Sequence, residues 1–292
     1  MTITALLSAG LAFLMLVVGL RLSGGDFRNL WRQPRAVAGG FVAQMLVLPL
    51  LALAISWALR LSPAMSLGLL VVAAAPGGIT SNFITLIARG DAALSATMTL
   101  GTSLAASLSI PLVLMLGHAP VAGNLSGLVP QIARTGFAVL AVSAVPLAIG
   151  MVLRQVLPGF VARYMPGLER SASVIFLVIV AAALAQNGRA MIDHAAEAGP
   201  AAVLLNLGAI AAAFATGWLL RLPARQTLAI AIECGLQNIA MAMFVAATVL
   251  QDTSLFAPAL VYAVVMNITA MALIAVGRFG SPPRPVEPIQ VS

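Results

Sequence analysis

Charged residues are scarce in this 292-residue chain. Only 8% of its residues are charged, while 61% are hydrophobic. A soluble globular domain carries about 25% charged residues, so this chain has too few to cover a water-facing surface. Most of its surface must face lipid instead. We therefore interpret it as an all-α integral membrane protein that crosses the bilayer several times.

Lysine is absent, and all fifteen basic residues are arginine. They lie singly or in small groups between apolar stretches, which is typical of membrane topology and not of nucleic-acid binding. The positive-inside rule then puts twelve arginines on the cytoplasmic side of a plasma (inner) membrane and three outside. This predicts an outer N-terminus and a cytoplasmic C-terminus. The three outer residues are Arg60, Arg134 and Arg189.

Cysteine occurs once, at Cys234, which excludes an intramolecular disulfide and a Cys-rich metal cluster. We interpret it as a small core residue. The first apolar run begins at Ile3 without a preceding basic segment, so we expect a permanent span and not a cleaved signal peptide.

Nine apolar segments are long enough to be spans. Because nine is odd, it fits the predicted topology. We expect two repeats, residues 1–117 and 131–278, and a disordered cytoplasmic tail over 279–292. The spans cover about 3–20, 36–59, 62–89, 92–117, 131–156, 171–188, 199–220, 226–250 and 256–278.

The third and eighth spans contain helix-breaking and polar residues near their centres. The third reads APGGITSN over 75–82, and the eighth reads ECGLQN over 233–238. Proline and glycine favour a break in each helix. Irregular backbone at membrane depth must be buried in protein or line a cavity, and two such segments in corresponding halves indicate a transporter binding site. Because the two spans run in opposite directions, we expect an inverted repeat whose breaks cross.

These motifs, with FVAQMLVLP over 41–49, resemble the bile acid:sodium symporter family. The resemblance extends from Gly19 to Phe279 and implies a core domain that holds the two crossing broken helices, with a panel domain beside it. Bacterial members usually have ten helices. This chain is similar to the nine-helix form, in which the first repeat lacks its opening helix.

The resemblance also implies two bound sodium ions. Residues similar to the first site are Ser81, Asn82, Ser95, Thr99 and Glu233. Residues similar to the second site are Gln44, Glu233, Gln237 and the backbone carbonyls of Cys234 and Leu236.

The chemistry of these residue types agrees with that assignment. Sodium is a hard cation and prefers oxygen donors. Ser95 and Thr99 are separated by one helical turn and share a face that can meet Asn82. Glu233 is the one acid that we place inside a span; the others, including Glu169, we place in loops or tails. Asp91 is expected to cap the fourth span.

The substrate site implied by the family lies beside the crossing, between core and panel. Asn238, Thr80 and Asn267 are candidate contacts. Some members read PGGTASN where this chain has Ile79 followed by Thr80, so the polar contacts to substrate differ here. Family substrates are organic anions, either bile-acid-like or small carboxylates such as pantoate.

We therefore expect a monomeric sodium-coupled symporter of an organic anion, surrounded by lipid, that works by alternating access. Proton coupling through Glu233 and a non-transporting channel or receptor are the alternatives. An intramembrane enzyme is disfavoured, because no span contains a histidine or a second acid beside Glu233.

Overall fold

The computed structural model describes residues 3–22, 32–122, 128–252 and 255–279. All regular secondary structure in these ranges is helical, as the composition predicts. The predicted tail from 280 onward lies outside the described residues. The helices are α1 (Ile3–Arg21), α2 (Pro34–Val42), α3 (Leu48–Ala58), α4 (Pro63–Ala74), α5 (Ile79–Ile87), α6 (Ala92–Ala122), α7 (Leu128–Val139), α8 (Val145–Val156), α9 (Pro158–Asp193), α10 (Ala195–Leu219), α11 (Ala224–Gly235), α12 (Ile239–Phe244) and α13 (Phe256–Phe279).

Six stretches of the described chain are helical, long and apolar enough to cross a membrane. The other three predicted spans correspond to α1 and to the pairs α4–α5 and α11–α12, whose helices are shorter. The total of nine spans stays a prediction. The six stretches are Pro34–Ala58, Ala92–Met115, Ala133–Val156, Pro158–Arg189, Ala195–Leu219 and Phe256–Phe279.

Both predicted helix breaks are present. Helix α4 ends at Ala74, the next residue is extended, and α5 begins at Ile79. Helix α11 ends at Gly235, and α12 begins at Ile239 after an extended Leu236. Proline and glycine in the first break, and Gly235 in the second, lower the helix propensity where each helix stops.

The two breaks meet and satisfy part of each other's backbone. Gly77 and Gln237 form an isolated antiparallel bridge, and the Asn238 amide donates to the Pro76 carbonyl at 2.9 Å. A buried backbone group without a partner is costly, so this pairing explains how two helices can be interrupted at one depth inside the protein.

A turn with one residue in the left-handed backbone conformation lies before and after each broken helix. The four non-glycine residues with positive φ in the described chain are Arg60 and Arg89, which flank α4–α5, and Arg221 and Gln251, which flank α11–α12. A tryptophan lies three residues before both Arg60 and Arg221. The segments around the two broken helices therefore share their turns as well as their breaks.

The ninth helix differs from the sequence prediction. We expected a span over 171–188 and a loop before it, but α9 runs from Pro158 to Asp193, with Pro166 inside it. The prediction that Glu169 lies in a loop is therefore wrong, and so is the same prediction for Glu197, which lies in the first turn of α10. Pro166 and the charged residues around it, Arg163, Glu169 and Arg170, interrupt the apolar sequence before residue 171. Neighbouring helices can compensate for such a proline in a membrane protein.

Helix α9 packs beside α1 and α8. Arg21 at the end of α1 forms an ion pair with Glu169, with 3.2 Å between Nε and Oε1. Helices α1 and α8 are in close contact because Gly19 and Gly150 have no side chains. A Cβ at either position would overlap the backbone of the other helix. Such close approach through small residues is a common way to associate membrane helices.

Candidate ion and substrate site

The Glu233 carboxylate is fully buried near the end of α11 and is surrounded by hydroxyl groups. Thr99 donates to Oε1 at 2.6 Å. Ser81 and Ser95 lie 2.7 Å and 3.1 Å from Oε2. These three donors come from α5 and α6, so the carboxylate links both helices to α11.

Asn82 completes the first predicted ion site. Its Nδ2 donates to the Thr99 hydroxyl at 3.2 Å, while its buried Oδ1 has no hydrogen-bond partner. Ser81 Oγ also lies 2.6 Å from the Gly78 carbonyl oxygen, so two acceptors share its single proton. The cluster has more acceptor oxygens than donor hydrogens, which suits a cation with oxygen ligands.

Local sequence explains how α6 contributes to this cluster. Asp91 caps the helix, as predicted: its Oδ1 accepts from the Leu94 amide at 3.0 Å. The helix then places Ser95 and Thr99 one turn apart on the same face. Both side chains are fully buried and contact Glu233.

The second predicted ion site is centred on two glutamines. Gln44 lies in the π-helical segment Ala43–Val47, and its Nε2 donates to Gln237 Oε1 at 2.8 Å and to the Ala75 carbonyl at 2.9 Å. Gln237 in turn donates to the Cys234 carbonyl at 2.7 Å. Gln44 Oε1 is buried without a hydrogen-bond partner. Each of the two predicted sites therefore contains one unpartnered amide oxygen.

The Cys234 carbonyl belongs to this set through its contact with Gln237, whereas Leu236 and Glu233 are not joined to the two glutamines by a hydrogen bond in the described structure. Leu236 lies in the extended break, and Cys234 is a free, buried cysteine. The hydrogen bonds of the Glu233 carboxylate go to the first cluster and not to Gln44 or Gln237.

Two residues that the sequence interpretation missed support the second break. Asn206 and Tyr262 both donate to the Gly235 carbonyl, at 2.8 Å and 3.1 Å. This carbonyl ends α11 and lacks a helical partner, so the two donors replace that bond. A single Asn or Tyr in an apolar helix carries little information in a sequence.

A cavity of about 490 Å³ lies beside the crossing. Asn238 and Thr80 line it, as does Gly78. Asn238 is largely buried and caps α12 by accepting from the Met241 amide at 3.0 Å. Ile79 begins α5, but its side chain lies outside the described part of the structure. Asn267 does not line the cavity; its exposed side chain donates to the Ala263 carbonyl of its own helix at 2.6 Å.

Residues of α1 and α9 also line the cavity, and they are both apolar and charged. Arg21 and Glu169 line it as the ion pair described above. Arg170 also lines it, is exposed, and forms no ion pair with the described residues. The apolar part of the lining includes Leu14, Met15, Phe83, Phe176, Leu177 and Met266.

Comparisons with known proteins place the chain in a family. A profile for the Sodium Bile acid symporter family matches residues 8–194, which is more than half of the chain. This match includes the first break but ends before Glu233.

Individual relatives extend the similarity. The chain is 30% identical over 92% of its length to a probable chloroplastic sodium/metabolite cotransporter from Oryza sativa subsp. japonica, and it spans 63% of that protein. It is 28% identical over 81% of its length to the uncharacterized sodium-dependent transporter YocS of Bacillus subtilis and spans 72% of it. It is 31% identical over 59% of its length to the hepatic sodium/bile acid cotransporter of Rattus norvegicus and spans 46% of it. The chain belongs to the sodium bile acid symporter family.

Proposed function

We propose that this chain is a sodium-coupled symporter that imports an organic anion by alternating access and carries two sodium ions with it. It is a transporter and not an enzyme. The observation on which this proposal rests is a buried carboxylate, Glu233, at the crossing of two broken helices, surrounded by neutral oxygen groups.

No basic side chain pairs with Glu233 in the described part of the chain. The ion pair described above joins Arg21 to Glu169 instead. Burying an unpaired carboxylate costs several kcal/mol (~3–5 when a partner is removed). A sodium ion beside it supplies the missing charge. Ser81, Asn82, Ser95 and Thr99 offer the neutral oxygens for that ion, and the unpartnered Asn82 Oδ1 supports this assignment.

The second proposed sodium ion binds between Glu233 and the two glutamines. Gln44 Oε1 lacks a partner, and Gln237 Oε1 and the Cys234 carbonyl are a short distance away, in contact with amide hydrogens. Binding requires rotation of these side-chain amides so that oxygens replace the hydrogens around the ion. The Leu236 carbonyl is the remaining proposed ligand.

The substrate occupies the cavity beside the crossing. Asn238 and Thr80 provide polar contacts on one wall, and Ile79 is adjacent to them. Arg170 of α9 lines the same cavity and forms no ion pair with the described residues, which favours a negatively charged substrate. The apolar lining and the volume of about 490 Å³ suit a carboxylate with an apolar body, such as pantoate or a bile-acid-like molecule.

The fold proposed for this transport is an inverted repeat within nine spans, divided into repeats 1–117 and 131–278. The matched turns at Arg60 and Arg221, and at Arg89 and Gln251, support it. Helices α1 and α7–α9 correspond to the panel, and the remaining helices to the core. Substrate and ions bind where the two groups meet, so relative movement of the groups exposes the site to each side in turn. The N-terminus is outside and the C-terminus cytoplasmic.

Transport by the purified full chain in proteoliposomes tests this proposal. Thermal stabilisation by a panel of organic anions, with and without sodium, first identifies a substrate. We expect an inward sodium gradient at fixed pH to accumulate that anion above its outside concentration. Accumulation driven equally well by a proton gradient without sodium would indicate proton coupling, and equilibration without accumulation would indicate a channel.

A further inference from the structure

A second cavity, of about 870 Å³, lies away from the transport site, where α5, α10 and α13 end and α11 begins. Three arginines line it, Arg89, Arg221 and Arg225, and no acidic residue is among its lining residues. The remaining lining residues are apolar or small; they include Phe214, Gly217, Trp218, Leu219, Thr227, Leu228 and Val276.

The backbone fixes where the three arginines lie. Arg89 and Arg221 have φ of 59° and 53° in the left-handed turns that end α5 and α10. The Arg225 guanidinium donates to the Arg89 carbonyl at 3.1 Å and to the Gly90 carbonyl at 3.3 Å, so it ties the end of α5 to the start of α11. Arg225 is therefore a structural residue of this cavity.

Arg89 and Arg221 have no such partners. Their exposed side chains form no hydrogen bond or ion pair with the described residues. The carboxyl ends of α5, α10 and α13 each offset about half an elementary charge, and the amino end of α11 adds about half. Against three guanidinium groups, this still leaves roughly two positive charges in the cavity.

An apolar face adjoins these cations. Trp218 is 82% exposed and Leu219 is 73% exposed, and Val276 on α13 is also exposed. Exposed apolar side chains on membrane-spanning helices face lipid, and tryptophan is enriched at the level of the headgroups. Cations above an apolar face match the arrangement of a phosphate above acyl chains.

The corresponding turn of the other half provides a contrast. Arg60 follows Trp57 as Arg221 follows Trp218, and both arginines have positive φ. Near Arg60, however, the Ser62 amide donates to the Glu197 carboxylate. An acid, Asp91, also lies near the cavity at Arg221, since its amide donates to the Arg225 carbonyl. Its carboxylate, however, accepts from Leu94 and Gln33 and does not line the cavity.

We propose that this cavity binds the phosphate headgroup of an anionic phospholipid, whose acyl chains lie against α10 and α13. Arg89 and Arg221 contact the phosphate oxygens, since guanidinium groups pair well with phosphate. Basic pockets between membrane helices are known sites for anionic headgroups. The site holds α5, α10 and α11 together at one end of the bundle, and α5 and α11 are halves of the two broken helices.

Tryptophan fluorescence in vesicles tests the proposal with an internal control. Two single-tryptophan proteins are made from the full chain: one keeps Trp218, with Trp31→Phe and Trp57→Phe; the other keeps Trp57, with Trp31→Phe and Trp218→Phe. Each is placed in zwitterionic vesicles that contain a small fraction of brominated phosphatidylglycerol or brominated phosphatidylcholine. We expect the anionic lipid to quench Trp218 at least twofold more than the zwitterionic one, and Trp57 to be quenched equally by both.

Charge variants assign that preference to the cavity. We expect R89Q/R221Q to abolish the preferential quenching of Trp218 and R60Q/R134Q to preserve it. Equal quenching of Trp218 by both lipids in the unaltered cavity would overturn the proposal, as would preference that survives R89Q/R221Q. Equal quenching of Trp218 by both lipids, together with thermal stabilisation by inorganic phosphate that R89Q/R221Q abolishes, would show that the cavity binds free phosphate and not the lipid. Quenching of wild-type Trp218 gives the answer even if a variant fails to fold.

Discussion

Gly77 lies directly against the Glu233 carboxylate, so a Cβ at position 77 would overlap Oε1 and the carboxyl carbon. Gly78, the next residue, has open space at the same position: its nearest neighbours would be Thr80 Oγ1 at 3.6 Å and Asn238 Cα at 3.9 Å. The glycine pair in the first break therefore has two separate roles. Gly77 makes room for the carboxylate, whereas Gly78 lines the cavity and could carry a Cβ in ordinary van der Waals contact.

This contrast predicts different effects of two adjacent alanine substitutions. Gly77→Ala forces the carboxylate to move, so we expect sodium affinity to fall at least tenfold, about 1.4 kcal/mol, with an overpacking cost of about 1–3 kcal/mol in stability. Gly78→Ala is the control, because a Gly-to-Ala change lowers the conformational entropy of the unfolded chain equally at both positions. Sodium titration of thermal stability measures both. Equal sodium affinities in the two variants would contradict the proposed position of the ion.

Thr99 and Thr102 provide a second matched pair, since both are fully buried on α6. Thr99 donates to Glu233, whereas Thr102 contacts the Met98 carbonyl of its own helix at 2.8 Å. Thr99→Val keeps the shape and removes a proposed sodium ligand, so we expect roughly tenfold weaker sodium binding, about 1.4 kcal/mol. Thr102→Val should bind sodium as the wild type does. An equal loss of sodium affinity in both variants would contradict the role of Thr99 as a sodium ligand.

Asn238 is expected to act on substrate more than on sodium. Asn238→Ala removes an amide from the cavity and also the cap of α12, which costs about 1 kcal/mol. Asn238→Ser retains a capping oxygen and removes the amide. Both variants should lose substrate-induced stabilisation but keep that induced by sodium. If serine restores substrate binding, Asn238 is only a capping residue.

Arg170 is predicted to recognise the negative charge of the substrate. Arg170→Gln should weaken binding of an anionic substrate about tenfold or more, about 1.4 kcal/mol, and leave sodium affinity unchanged. Arg163→Gln is the control on the same helix: Arg163 lies 5.7 Å from the Tyr164 ring centroid and does not line the cavity. Substrate titration of thermal stability in sodium compares them. Unaltered substrate affinity in Arg170→Gln would show that this residue does not recognise the substrate.

Much of the candidate site was predictable because its signals are local and strong. The helix-breaking runs around Pro76 and Gly235 predict the two breaks, and one-turn spacing predicts the shared face of Ser95 and Thr99. The pairing of Gly77 with Gln237 depends on residues distant in the chain, and sequence indicated it only through the opposite directions of the two spans.

Other features had misleading or weak signals. Pro166 and the charges around it predicted a loop, whereas α9 continues through them because neighbouring helices support it. Arg170 was consequently assigned to topology and not to the cavity. The matching Trp57 and Trp218 turns were visible in the sequence, but their significance depends on positive φ, which only the structure provides.

The most direct test of the central claim is the sodium dependence of Glu233→Gln. The substitution preserves the shape and one oxygen but removes the charge that two sodium ions share. Folding should survive, because a neutral amide replaces a buried charge. The matched control is Glu197→Gln, which alters an acid near the Ser62 turn and not at the crossing. We predict at least tenfold weaker sodium binding, about 1.4 kcal/mol, and loss of sodium-driven uptake in Glu233→Gln alone. Unchanged sodium dependence of uptake and of thermal stability in this variant would contradict the account.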